Sequence, residues 1–304
     1  MLKKITIVML LMCVSLLVDA AQQLPKSGSE KSSIALTKSA KANLERAQQV
    51  KQYPSFKQKK AQIAIIIDDI GNKRADAAAF ALPEKVTFSI LPHTSFSTQF
   101  STYSYHQGRE VMLHMPMESL HGEALGDGAL LASMYPNEVE RALLLALESV
   151  PHAIGVNNHM GSKLTQITLQ MNAVMDVLNN NKLYFIDSRT TKFTKAHQIA
   201  QQHGVATAQR HVFLDHYANE AFLEKQFEQL VRKARRNGAV IGIAHPYEIS
   251  IAFLKKKLAN LPDDVELITV SEFLSLGGED ISDSFEQPRL ANRSIQTTTD
   301  IAPE

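Results

Sequence analysis

Between residues 62 and 276 short apolar runs alternate with amphipathic helical patterns, and this alternation restricts the fold more than any other feature of the chain. The apolar runs are residues 63–67, 86–91, 111–114, 153–156, 183–186, 211–214, 239–244 and 265–269. The first, Ile63-Ala64-Ile65-Ile66-Ile67, is continuous rather than alternating, as expected of a strand buried on both faces of a parallel sheet. Helical patterns lie between most of the runs. Pro136-Asn137-Glu138 opens one that reaches residue 150, with Pro suited to the first turn and Glu to the positive helix end. Residues 168–181 form another, with Leu169, Val174 and Leu178 apolar. Asn219 is placed to cap a long helix whose stripe is Phe222, Leu223, Phe227, Leu230, Val231 and Ala234, and Gly238 to end it. Ser271 is read as the cap of a last short helix. Such a succession implies a mostly parallel sheet with helices outside it. Seven or eight units fit a closed or nearly closed barrel, with an open doubly wound sheet as the alternative. No G-x-G-x-x-G follows the first run, where Asp68-Asp69-Ile70-Gly71-Asn72 stands instead.

The chain has 304 residues, 44% of them hydrophobic and 21% charged, enough to bury a core. A net charge of +1 gives no electrostatic footprint for nucleic acid. Lys3 and Lys4, the apolar run 5–18 and the small residues Ala20 and Ala21 together describe a secretory signal peptide, residues 1–21. The run is short for a membrane span, so a cleaved signal and a periplasmic or secreted protein are expected, with an uncleaved N-terminal anchor as the alternative. Cys13, the one cysteine, lies inside that run. After cleavage any metal would have to sit on His, Asp or Glu. Residues 22–60 read as a polar linker with at most a surface helix near 40–53, and 278–304 as a disordered tail. A single α/β domain, 61–277, remains.

Polar residues collect where the strands should end. The first run ends in Asp68-Asp69, two carboxylates that raise each other's pKa unless a cation or a proton separates them. His114 follows the third run and precedes Met115-Pro116-Met117-Glu118. Asn157-Asn158-His159-Met160-Gly161-Ser162 follows the fourth, Asp187-Ser188-Arg189 the fifth, Asp215-His216 the sixth, and His245-Pro246 the seventh. One histidine at a strand end is ordinarily a hydrogen-bonded core residue. Several at the same end of a barrel mark the place where barrel enzymes keep their chemistry. An Asp with two His suits a divalent metal, zinc first. Met112, Met115, Met117 and Met160 read as an apolar wall, not as copper ligands.

These residues also resemble a family. Asp68-Asp69, Gly71, a helix and then Lys85-Val86-Thr87-Phe88-Ser89-Ile90-Leu91 resemble the opening of the polysaccharide deacetylase superfamily, which carries Thr-Phe-Asp-Asp and then Lys-Ala-Thr-Phe-Phe. Gly108-Arg109-Glu110-Val111-Met112-Leu113-His114 is similar to the family's Gly-His-Glu-x-x-x-His, and Ile243-Ala244-His245 to its Leu-x-His. His114-Met115-Pro116-Met117-Glu118 and Asn158-His159-Met160-Gly161-Ser162 resemble the divergent branch found in bacterial envelopes. The resemblance spans about residues 62–276. It implies a distorted (β/α) barrel and a metal-dependent hydrolase acting on amide C–N bonds of an N-acetylated envelope glycan such as peptidoglycan. It also implies roles: Asp68 the general base, Asp69 and His114 metal ligands, His245 the general acid, and Asp187 or Asp215 the carboxylate orienting His245. Arg189 is a candidate partner for Asp68. Where typical members place a second histidine ligand this chain has Glu118, so either Glu118 or His159 would complete the metal set, with His159 favoured.

A different class is also open: a deacetylase-like fold without turnover that binds glycan or envelope proteins. The lack of G-x-S-x-G makes a serine hydrolase a poor reading, and an aspartyl phosphatase is a weak one because Asp-Asp is not its Asp-x-Asp. Residues 121–128, rich in Gly, are long enough for a lid. Tyr103, Tyr105 and His106 are either sugar contacts or an exposed helix end.

Overall fold

The computed structural model describes residues 60–276. The expected signal peptide, the linker up to residue 59, the surface helix near 40–53 and the tail all lie outside the described residues. Among the described residues nine strands are present: β1 Ala61–Ile70, β2 Thr87–Ile90, β3 Val111–Met117, β4 Ala153–Met160, β5 Tyr184–Asp187, β6 Thr207–Gln209, β7 Val212–Phe213, β8 Ala239–Ala244 and β9 Val265–Ile268. The α-helices are α1 Ser97–His106, α2 Pro136–Ser149, α3 Thr168–Asn180, α4 Ala196–Gln202, α5 Glu220–Asn237, α6 Glu248–Leu258 and α7 Val270–Ser275. A 3₁₀ segment, Arg74–Ala81, joins β1 to β2.

Every ladder is parallel, in the order β6-β5-β4-β3-β2-β1-β8-β7. β1 is central. β8 lies along one of its edges, while the other is shared by β9, against residues 61–64, and β2, against 66–70. The sheet curls into a distorted (β/α) barrel. Among the described residues no ladder joins β6 to β7, so the barrel is open there.

Strand alternation sorts the core into two clusters. Ala64, Ile66, Met112, Tyr184, Ile186, Ile241 and Ile243 pack together as the barrel interior. Ile63, Ile65, Ile67, Phe88, Leu113, Phe185 and Val240 pack with the apolar stripes of the helices, among them Leu143, Val174, Leu223 and Leu230. Each such side chain contributes about 1.5–3 kcal/mol when fully buried. Asn219 caps α5 by accepting from Phe222 N at 2.9 Å, and Gly238, at φ 89°, ends it.

Several elements differ from the sequence reading. β3 and β4 run on to Met117 and Met160, through polar residues whose side chains find partners inside the barrel. β6 carries no apolar run and was not expected, and β7 is only two residues long. Thr269, not Ser271, caps α7: its hydroxyl accepts from Glu272 N and Glu272 accepts from Thr269 N.

Candidate active site

The site is built from the last inward-facing residues of parallel strands. Asp68 follows Ala64 and Ile66, His114 follows Met112, and His245 follows Ile241 and Ile243. Because the strands are parallel, these residues reach the same end of the barrel. Asp69 does not belong to this series. Between Ile67 and Ile70 the pairing with β2 slips, so that one extra residue of β1 stands against β2, and Asp69 adopts φ 59°. Such a bulge re-aims a side chain. It brings Asp69 to the same histidine that Asp68 faces, where regular alternation would have sent the two carboxylates to opposite sides. Met160 (φ 52°) and Arg189 (φ 50°) are also left-handed, at the ends of β4 and β5. Left-handed backbone at a non-glycine residue is strained, and with His93 (φ 58°), which lines the same cavity as Asp69, four such residues sit at one rim.

Asp69, His114 and His159 form a compact cluster, with their ligand atoms within 4.8 Å of one another. Asp69 Oδ1 lies 3.1 Å from His114 Nε2 and 2.9 Å from His159 Nδ1, and the two ring nitrogens are 3.2 Å apart. Asp69 Oδ1 is buried, yet it makes no hydrogen bond of acceptable angle. An orphaned carboxylate oxygen facing two imidazole nitrogens is the donor set that a divalent cation fits. Burial pushes the Asp69 carboxyl up, and His114 and His159 together pull it well below the usual carboxylate range. Burial lowers His114, but the charges of Asp68 and Asp69 outweigh this and raise it to about 9.

A hydrogen-bond relay sets the tautomer of His114. Asn157 stands directly across from it on β4. Asn157 Oδ1 accepts from His114 Nδ1 at 2.7 Å and from Ser89 Oγ at 2.5 Å, and Asn157 Nδ2 donates to Asp68 Oδ1 at 2.8 Å. His114 Nδ1 therefore carries a proton, and Nε2 is the ring atom that faces Asp69. The sequence reading quoted Asn157 and Ser89 without giving either a role. Their signal was present: Thr87 and Ser89 are polar every second residue in an otherwise apolar run.

His245 is held separately. Its Nδ1–H donates to Asp215 Oδ1 at 2.9 Å and its backbone N–H to Asp215 Oδ2 at 2.7 Å, and Ser250 Oγ donates to the same oxygen at 2.8 Å. Its Nε2 points to Asp69 Oδ2, 3.8 Å away. Phe213 and Tyr247 pack against the ring. Burial lowers His245, and the hydrogen bond and charge of Asp215, with the charges of Asp68 and Asp69, more than reverse this and raise it above the ordinary histidine value.

Three expected residues do other work. Of the two carboxylates considered for His245, Asp215 is its partner; Asp187 instead accepts from Arg189 N and Thr194 Oγ1 and shapes the turn after β5. Glu118 is turned away from the cluster, with one oxygen on Lys163 and the other accepting from Ala132 N at 2.6 Å. His159 completes the cluster in its place. Arg189 bonds Gln209, not Asp68. A second arginine, Arg210, which sequence reasoning missed, feels the charge of Asp68. It is anchored on Ser188 O and Arg189 O, and its lowering by burial is opposed by the charges of Asp68 and Asp187. Met112, Met115 and Met117 are fully buried in the apolar clusters. A cavity of about 430 Å³ opens beside Asp69 and His159, and residues 124–127 form one of its walls.

The chain matches the family model of the divergent polysaccharide deacetylases over residues 65–274. It is 37% identical over 215 residues to the uncharacterized protein YibQ of Escherichia coli (strain K12), covering 70% of this chain and 67% of that relative. It is 36% identical over 217 residues to an uncharacterized protein of Haemophilus influenzae, covering 71% and 78%. The crystal structure of an uncharacterized protein from Agrobacterium tumefaciens C58 has the same fold, with a TM-score of 0.68 at 24% identity over 72% of this chain and 92% of that one.

Proposed function

The chain belongs to the divergent polysaccharide deacetylase family, and on that footing we propose that it is a metal-dependent hydrolase removing acetyl groups from an N-acetylated glycan of the bacterial envelope. The observation that carries this reading is the orphaned Asp69 oxygen between His114 and His159, with Asp68 and the His245–Asp215 pair around it. Asp69, His114 and His159 would hold the metal, and two imidazoles with one carboxylate favour zinc. When bound there, such a metal supplies a Lewis acid for the acetamide carbonyl and lowers the pKa of water.

The protein's own groups do the rest. Asp68 takes the proton of the attacking water, with Asn157 occupying Oδ1 and leaving Oδ2 for that proton. His245 holds a proton on Nε2 and gives it to the leaving nitrogen, while Asp215 stabilises the imidazolium through Nδ1. The products are acetate and a free amine. We place the reaction in the periplasm or outside the cell, after removal of residues 1–21. Among the described residues no helix is long and apolar enough to cross a membrane.

Metal analysis coupled to an acetate-release assay on chitooligosaccharides and peptidoglycan tests the reading. Protein stripped and reconstituted with zinc should hold it near one equivalent, and Asp69→Ala and His159→Ala should lose it. Asp68→Asn should retain the metal and release no acetate. Unchanged metal content in both ligand variants would remove the ligand set. Metal bound without acetate release from any glycan would favour the reading without turnover, to which Glu118, standing where typical members have a histidine, also points.

A further inference from the structure

Glu118 stands four residues after His114, where typical members of the family have a second histidine ligand. β3 is extended as far as Met117, so residue 118 lies about 13 Å further along the strand than His114. The register of β3 and β4 sets His159 beside Pro116, two residues nearer to the cluster. Glu118 therefore lies past the metal ligands, yet it is not left to solvent. Its main chain and its carboxylate tie three segments together at the rim.

The first tie is a neck. Glu118 N–H donates to Leu130 O and Leu130 N–H to Pro116 O, both at 2.9 Å. This closes an Ω-like excursion of residues 119–129. The second tie runs to the turn that follows β4 and His159, where the N–H groups of Lys163 and Leu164 donate to Glu118 O. The carboxylate joins the two: one oxygen accepts from Ala132 N–H, just beyond the neck, and the other from Lys163 Nζ. Bonds of this charge-assisted kind are about twice as strong as neutral ones.

The excursion has little else to fix it. Among the described residues, the backbone groups of 124–129 make no hydrogen bond. Gly128 (φ 73°) rests on the opposite wall, so close to the His93 ring that a Cβ there would lie 2.7 Å from it. Residues 124–127 line the cavity that holds Asp69 and His159. A span fastened at its neck takes its position from the neck.

We propose that Glu118 is a positioning residue for the site: its carboxylate sets where the wall of residues 119–129 stands relative to His159. The position that supplies a ligand in typical members supports the cavity wall in this chain. This rests on the deacetylase reading for the reaction served, and on the hydrogen bonds of the neck for the support itself. A wall bears on the bound substrate and on the transition state alike, so its loosening raises KM and leaves kcat. Loss of a metal ligand would lower zinc affinity instead.

The test combines amide hydrogen exchange on the full-length protein with acetate release from chitooligosaccharides by its zinc-loaded form. Glu118 is partly exposed, so Glu118→Ala removes both side-chain bonds without opening a buried cavity. Exchange at Leu130 and Ala132 should rise about tenfold, the lower end of the worth of a hydrogen bond to a charged group. Exchange in β1 and β8 should stay as it was, which shows the fold intact. KM should rise about tenfold, with kcat and zinc affinity each within about twofold. Glu118→Gln and Lys163→Met both keep an acceptor for Ala132 N–H and lose only the partly exposed ion pair, so each should stay within about threefold of the unsubstituted protein in exchange and in KM. Unchanged exchange at Leu130 and Ala132 in Glu118→Ala, raised exchange with KM unmoved, or zinc lost from that variant would each overturn the positioning role, the last by making Glu118 a ligand. Raised exchange together with no acetate release from the unsubstituted protein would remove the deacetylase reading and keep Glu118 as the support of the wall.

Discussion

Asp215 decides what His245 can do. Burial alone would lower that histidine, and the hydrogen bond and charge of Asp215, the largest of the raising influences, reverse the direction together with the charges of Asp68 and Asp69. The imidazolium therefore persists above the ordinary histidine range, and a general acid that must be protonated loses activity as pH rises through that raised value. Asp215→Asn removes the charge, so the alkaline limb of the pH–rate profile for acetate release should move to lower pH. The rate at its optimum should fall by about 10²–10⁴-fold, the usual worth of a positioned proton donor. An unmoved limb would mean that Asp215 does not set His245. Asn157 is the corresponding residue for the metal ligands. Asn157→Leu frees the His114 tautomer and should weaken zinc binding about 10–100-fold, read by competition with a chromophoric chelator. Retained affinity would make the relay structural. At this scale the residue types were legible and their pairings were not. Asp68, Asp69, His114, His159 and His245 stand out because each is polar at the end of an apolar run. His159 over Glu118 was already the favoured choice, whereas the choice of Asp215 over Asp187 and the place of Arg210 depend on which strands are neighbours and in what register.

Elements were legible where their physical signal is local. α5 begins at Asn219 and ends before Gly238 because a cap and a left-handed glycine act within one turn. β8 coincides with its apolar run. β6 was missed because Thr207-Ala208-Gln209 is held by its pairing with β5, not by its own apolar character. The polar ends of β3 and β4 were cut short for a related reason: His114, Asn157 and His159 are buried or half-buried by partners on other strands. Gly155 shows how tightly those strands meet. A Cβ there would lie 2.1 Å from the ring of Tyr184, on the neighbouring β5, in the barrel interior. Gly155→Ala must displace that fully buried ring, and overpacking of this kind costs about 1–3 kcal/mol. Urea denaturation should show a lower midpoint with an unchanged m-value. A midpoint equal to that of the unsubstituted protein would mean that β4 and β5 separate without cost.

In the whole molecule, the alternation of strands and helices and the parallel order of the sheet concentrate the strained and like-charged groups at one rim. Asp68 and Asp69 both lie against His114, and Asp69, Met160 and Arg189 are left-handed around them. The barrel class followed from the alternation, but the gap between β6 and β7 and the bulge in β1 did not, because both are properties of closure and register. The rim's strain and repulsion are tolerated because the rest of the barrel overdetermines the backbone there. A cation held between Asp69, His114 and His159 would bind the folded chain and not the unfolded one, since the three ligands come from three strands. Its binding should therefore appear as stability. At a free zinc concentration one hundred times Kd the expected gain is about 2.7 kcal/mol, which for a domain of this size corresponds to a rise in Tm of about 5–11 °C. Differential scanning fluorimetry with zinc and with excess EDTA measures it. Asp69→Ala should abolish the difference between the two conditions, while Tyr103→Ala, at an exposed position of α1, should keep it. An equal zinc-dependent shift in Asp69→Ala would place the stabilising cation somewhere other than this cluster.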